Sequence, residues 1–198
     1  MPVEIADDRP RVEIELEDGS VATLSPVVPD DLALFEEGLD KLSVESRFTR
    51  FGQGIAHLTR AELDYLTDVD QRSHVAWGAL VDGEIAGAGR YVAREDGCSE
   101  VALTVIDEYQ HRGLGSVLLG ALVAVAVADG VEELCFEVVP GNVAVEHLLD
   151  GVDLRPDDSG SLIEGRVRVS DLPESPRADE LVAVMNACRG QGAWRPSA

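Results

Sequence analysis

The chain has 198 residues, with 38 acidic side chains against 16 basic ones and a formal net charge of −22. That length suits one domain with a sizeable core and is short for two catalytic domains. The charge argues against nucleic acid as a partner, because phosphate binding needs clustered Lys and Arg, and it favours cationic partners instead.

Lys41 is the only lysine beside fifteen arginines, so genome composition or a salty cytoplasm accounts for the acidity without any ligand. No apolar run reaches the roughly 20 residues of a membrane span, and no membrane partner is expected. The start, MPVEIADDRPRVEIELEDG, lacks the basic-then-apolar pattern of a secretory signal, so the expected location is the cytoplasm. Cys98, Cys135 and Cys188 lie far apart with no CxxC spacing; neither a zinc site nor a disulfide is expected, and no metal.

In chain order, RVEIELEDGSVATLSPV reads as a two-stranded hairpin over residues 11–25, turning at Asp18-Gly19. DLALFEEGLDKLS places Leu32, Phe35, Leu39 and Leu42 at helical spacing. SVESRFTRFGQG predicts a second short helix ending at its glycines, and Thr59 with Glu62 forms a capping box opening a third. HVAWGALVDG, EIAGAGRYVAR and SEVALTVID then read as three antiparallel strands joined at Asp82-Gly83 and at Glu95-Asp96-Gly97.

A long helix follows from about Leu114 to Asp129, stopped by Gly130, and then the strand ELCFEVV. Strand, helix and strand in succession make that last strand pair parallel, joined by a right-handed crossover. A short helix at VAVEHLLDG and a strand at SLIEGRVRV complete the pattern, and residues 171–198 read as a docked or frayed tail with a short helix at ADELVAVMNACR. The expected fold is α+β (mixed α/β), one domain over residues 1–170 with a mostly antiparallel sheet, one parallel pair and helices on both faces.

Gly113 and Gly115 sit between a strand and the N-terminus of the long helix, in QHRGLGS. Glycines there let backbone amides close on an anion where the helix dipole also favours negative charge, so a phosphate-bearing ligand is implied. Two common phosphate loops are excluded: the Lys and Ser/Thr of GxxxxGK[ST] are missing, and Leu118 stands where GxGxxG needs its third glycine.

In LTVIDEYQHRGLGSVLL the pattern Q/R-x-x-G-x-G/A opens a long helix after a strand, and this stretch resembles the GNAT family of N-acetyltransferases. CFEVVPGNVAVEHLLDG partly matches the family's second block. The resemblance covers about residues 21–169. LSVESRFTRFG and LTDVDQRSHVAWGAL are similar to the substrate side of bacterial protein-lysine acetyltransferases.

The resemblance implies acetyl-CoA as acetyl donor, its pyrophosphate on the amides of His111, Arg112, Gly113, Leu114, Gly115 and Ser116. It also implies a pantetheine arm along the backbone of Leu103, Thr104 and Val105, with Asn142 near the cofactor. Arg112 would offset repulsion of the anionic cofactor. An alkyl ammonium with a pKa near about 10 must lose a proton before attack, which calls for a carboxylate base whose pKa burial would raise.

Glu100, on the strand before the loop, is the first candidate base, and Glu137, five residues before Asn142, the second. The family's usual proton donor, a tyrosine seven residues after the asparagine, is replaced by Leu149; water, His147 or the amine's own proton would serve instead. Arg47, Arg50, Phe51 and His74 are candidates for the acceptor cleft. The acceptor is expected to be a protein lysine or a small cationic amine, attacked directly in a ternary complex. The alternative is an acyl-CoA-binding sensor without turnover. A homodimer is an open expectation, since dimers are common in the family.

Overall fold

The computed structural model of the protein describes residues 9–51, 57–157 and 159–190. Among them eight strands form one sheet in the order β1-β2-β3-β4-β5-β6-β8-β7. They are β1 Val12–Glu15, β2 Val21–Pro26, β3 His74–Val81, β4 Glu84–Ala93, β5 Cys98–Val105, β6 Glu133–Val138, β7 Leu154–Pro156 and β8 Ile163–Arg168. Every neighbouring pair is antiparallel except β5 with β6, as the strand-helix-strand order predicts. β7 was not foreseen; three residues are too few for an alternation pattern to register.

Three helices, α1 Leu32–Lys41, α2 Val44–Phe51 and α3 Arg60–Thr67, precede β3. The predicted capping box opens α3: the Glu62 amide donates to Thr59 Oγ1 at 3.3 Å and the Thr59 amide to the Glu62 carboxylate at 2.7 Å. α2 ends at Phe51; the glycines expected to stop it, Gly52 and Gly54, lie outside the described residues, as do the side chains of Arg50 and Phe51.

The long helix α4 spans Leu114–Asp129, bounded by left-handed Gly113 and Gly130. It is apolar all round, so a sheet on one side cannot cover it. After α5 at Val143–Leu148, the tail supplies the second cover as α6, Ala178–Gly190, whose Leu181 and Met185 are fully buried. Arg189 ties that helix down through both Asp129 carboxylate oxygens, at 2.8 and 2.5 Å, and through the Gln71 carbonyl at 2.5 Å. The short tail helix read from the sequence is thus a docked helix of 13 residues.

Two alternating faces of the sheet follow. Ideal Cβ atoms on Gly87 and Gly89 of β4 would meet Leu118 and Leu122 of α4, so these positions and their partners Val105 and Leu103 turn towards α4. Ala88, Arg90, Ala102 and Thr104 line a cavity under α1 and α3, and strand alternation puts Glu100 on that same face.

One expectation is overturned. Cys98 and Cys135, read as unconnected thiols, form a disulfide with Cα atoms 6.1 Å apart. The crossover through α4 separates them in sequence, but the parallel register sets Cys98 opposite Glu133 and Cys135 opposite Glu100, making the cysteines diagonal neighbours. No helix among the described residues is long and apolar enough to cross a membrane.

Candidate active site

β5 and β6 pair from Cys98 to Val101 and then part, while β5 stays paired with β4 up to Val105. Ala102 to Val105 therefore face an open gap on the β6 side. A strand edge without a neighbouring strand can take an extended ligand by main-chain hydrogen bonds, and Leu103, Thr104 and Val105 lie on this stretch, which β6 does not pair. At its end the Val105 carbonyl accepts from Gln110 Nε2 at 3.1 Å, which fastens the following loop to the strand.

That loop carries two left-handed residues, His111 at φ 59° and Gly113 at φ 84°. For a histidine this conformation costs on the order of 1 kcal/mol, held in place by the surrounding structure. The Val117 amide bonds back to the Gly113 carbonyl at 3.1 Å, leaving the amides of Leu114, Gly115 and Ser116 without partners inside α4. Such amides at the positive end of a helix form an anion cradle. Gly115 has only Leu148 near a would-be Cβ, at 3.8 Å, whereas a Cβ on Gly113 would strike Glu17 at 3.0 Å.

The tip of the β1–β2 hairpin thus lies against the loop. Asp18 pairs with Arg112 at 3.3 Å, and the Glu17 amide donates to the Arg112 carbonyl at 3.1 Å. Arg112 also donates to the Glu108 carbonyl at 2.7 Å and lies over the Tyr109 ring. Its charge is shared with the hairpin rather than free to face a ligand alone. On the other side, Asp107 accepts from the Ser43 amide and the Ser46 hydroxyl, which locks α2 to the same loop.

The two candidate bases come together. Arg94 Nη1 stands 3.5 Å from Glu100 and 3.2 Å from Glu137, with side chains 43% and 38% exposed. The burial anticipated for the base is absent; the carboxylates are half-exposed and share one cation. Arg94 was missed in the sequence because it follows the last residue of β4, and nothing in its spacing links it to strands 6 and 43 residues further on.

The face beyond Glu100 holds a cavity of about 70 Å³, walled by Leu34, Leu39, Leu42 and Ile106 above and by Ala88, Arg90 and Ala102 below. Arg90 Cζ lies 4.9 Å from the centre of the Tyr65 ring, and the Tyr65 and His74 rings are 5.1 Å apart. Burial, with Arg90 adding to it, pushes His74 down to about 4. Of the cleft residues expected from the sequence, His74 joins this group. Arg47 instead donates to the Leu42 carbonyl at 3.1 Å. Tyr65 and Arg90 escaped notice because each fits its element's pattern as an ordinary amphipathic residue.

Asn142 caps α5, its side-chain oxygen accepting from the Val145 amide at 3.3 Å. Leu149 is 2% exposed in the core, so its position offers no proton donor, and His147 is exposed on α5.

The acetyltransferase (GNAT) family model matches residues 39–150. Acetyltransferase Pat of Mycolicibacterium smegmatis is 35% identical over 145 residues, 70% of this chain and 43% of that protein, so the chain spans less than half of this relative's length. Acetyltransferase PA5475 of Pseudomonas aeruginosa is 35% identical over 157 residues, 75% of this chain and 84% of that protein. The GNAT domain of S. lividans PAT shares the fold, with a TM-score of 0.76 at 24% identity over 83% of this chain and 99% of that one. A matched family model over more than half of the chain, on a sheet split at the parallel pair, carries the assignment: the chain belongs to the GNAT family of acetyltransferases and is an acyltransferase enzyme.

Proposed function

We propose that the protein transfers the acetyl group of acetyl-CoA to a primary amine, a protein lysine or a small amine, by direct attack in a ternary complex. The observation that carries this reading is the coincidence of three features at one gap. They are a strand edge that β6 leaves at Ala102 to Val105, an anion cradle at its end, and a carboxylate, Glu100, at its start. A pantetheine arm lying along Leu103 to Val105 would place the diphosphate on the amides of 111 to 116 and the thioester near Glu100.

In this reading Glu100, directly or through one water, takes a proton from the ammonium of the acceptor. The neutral nitrogen attacks the thioester carbonyl carbon, and the carbonyl π electrons move to oxygen. Collapse of the tetrahedral adduct re-forms C=O and breaks C–S. The thiolate then takes one of the two protons left on the nitrogen, through water where needed because Leu149 offers none, and the neutral amide keeps the other. Glu137, on the same Arg94, would hold that cation in register with Glu100. Asn142, fixed by its capping bond, would flank the cofactor.

The test is thiol release on mixing the protein with acetyl-CoA and a panel of primary amines. Amine-dependent release that Glu100→Gln abolishes is the expected result. Tight cofactor binding with no release across the panel would overturn it in favour of a sensor.

A further inference from the structure

Arg90 stands on β4 between Ala76 of β3 and Ala102 of β5, both too small to cover it. Its Nη1 is enclosed with no hydrogen-bond partner, and among the described residues the guanidinium makes no ion pair; it lies over the Tyr65 ring at 4.9 Å. Glu100 lies close enough to favour its charge but is paired with Arg94. His74 Nε2, on a ring tilted against the same tyrosine, is likewise enclosed and unpartnered. Two orphaned polar atoms therefore flank one tyrosine, and Arg90 of the pair also lines the apolar cavity.

An enclosed guanidinium nitrogen without a partner keeps an uncompensated desolvation cost, and fixed planar donors such as these match a carboxylate. The cofactor's phosphates are poor candidates for this role. Arg90 is in register with Ala102, three residues or about 10 Å short of the strand end where the phosphate loop begins. Nor does the net charge of −22 bar an anionic group here. Exposed charges more than about 8–10 Å away are screened by salt, whereas a contact inside a part-enclosed cavity is not.

We propose that Arg90 is a specificity residue of the acceptor site, binding a carboxylate that the acceptor carries near its reactive amine, with His74 Nε2 as a second polar contact. This rests on the acetyltransferase reading, in which the amine approaches Glu100 from the face that Arg90 shares. The carboxylate would come either from a free amino acid or from an acidic residue beside a peptide lysine.

The experiment compares kcat/KM for matched acceptors with the whole chain: free lysine against 1,5-diaminopentane, which lacks only the carboxylate, and a lysine peptide with flanking glutamates against its glutamine counterpart. The wild-type protein should prefer the carboxylate in one pair, and which pair tells the source. Arg90→Gln should lower kcat/KM for the preferred acceptor on the order of 10- to 100-fold. The uncharged counterpart should stay within about threefold, the acetyl-CoA Kd should not change, and Arg90→Lys should keep part of the preference. Thiol release with no carboxylate preference in the wild-type protein overturns this inference alone, as does an equal loss for both members of a pair with cofactor binding intact. No release with any amine overturns the acetyltransferase reading and this inference with it.

Discussion

Glu100 and Glu137, on the two parallel strands, meet on a single cation: Arg94 Nη1 lies 3.5 Å from the first and 3.2 Å from the second. The cation holds two half-exposed carboxylates at the mouth of the gap between β5 and β6, one on each side. Only Glu100 shares its strand with Ala102 to Val105, the stretch that β6 does not pair.

This asymmetry predicts unequal losses. Glu100→Gln should lower kcat/KM about 100-fold or more, the usual worth of a positioned base. Glu137→Gln should cost no more than about tenfold, because it leaves the Glu100–Arg94 contact in place. Steady-state kinetics on both variants, with acetyl-CoA affinity measured alongside, checks the order; a larger loss at Glu137 would reverse the roles.

The two loop glycines should separate folding from binding. Gly113→Ala forces a side chain into φ 84° and against Glu17 at 3.0 Å, so it should destabilise the fold by about 1–3 kcal/mol. Gly115→Ala meets only Leu148 at ordinary contact, 3.8 Å. It should leave the Tm within about 2 °C and weaken CoA binding severalfold by holding the diphosphate off the amides. Calorimetric titration with CoA beside thermal melts decides; unchanged affinity in the second variant would argue that the phosphates lie elsewhere.

Sequence patterning made the strand order from β3 to β6 and the span of α4 legible, because alternation, DG turns and bounding glycines act within a few residues. What escaped it depends on contacts between distant segments. Cys98 and Cys135 became neighbours only through the parallel register, and Arg94 acquired Glu137 the same way. The tail helix was visible as a pattern, but the choice between docked and frayed was not. The need for it came from α4, whose apolar outer side required Leu181 and Met185. At the site, the glycine loop stood out in the sequence and both glutamates were named through the family resemblance, while Arg90 and Tyr65 gained meaning only once Ala76 and Ala102 were seen as the neighbours of Arg90 in the sheet.

The disulfide closes a loop with a sequence separation of 37. By chain entropy alone a loop of that size is worth about 4 kcal/mol. It also pins the two strands together at the end opposite the gap. Cys98→Ser with Cys135→Ser should lower stability by up to that amount, and a thiol reductant should do the same to the wild-type protein and nothing to the variant. Denaturant melts with and without reductant test this; equal midpoints in the wild-type protein would show that the link contributes nothing.

His74 gives the fold an acid-sensitive element whose sign can be worked out. Burial is the main cause that pushes the imidazole down to about 4, the nearby Arg90 adds to it, and Asp70 opposes it. In the unfolded chain the same group takes its proton near about 6.5. Between those values the unfolded state binds more protons than the folded one, so the contribution of neutral His74 is whole above about pH 6.5 and is lost as the pH falls through about 4. Because the ring is only half-buried, solvent screening reduces the size of the effect but not its direction. His74→Asn removes it. Between pH 6.5 and 4, at fixed ionic strength, the variant should therefore lose less Tm than the wild-type protein, whose many carboxylates titrate alike in both. A constant difference in Tm across that range would mean that His74 keeps its ordinary affinity for protons in the fold.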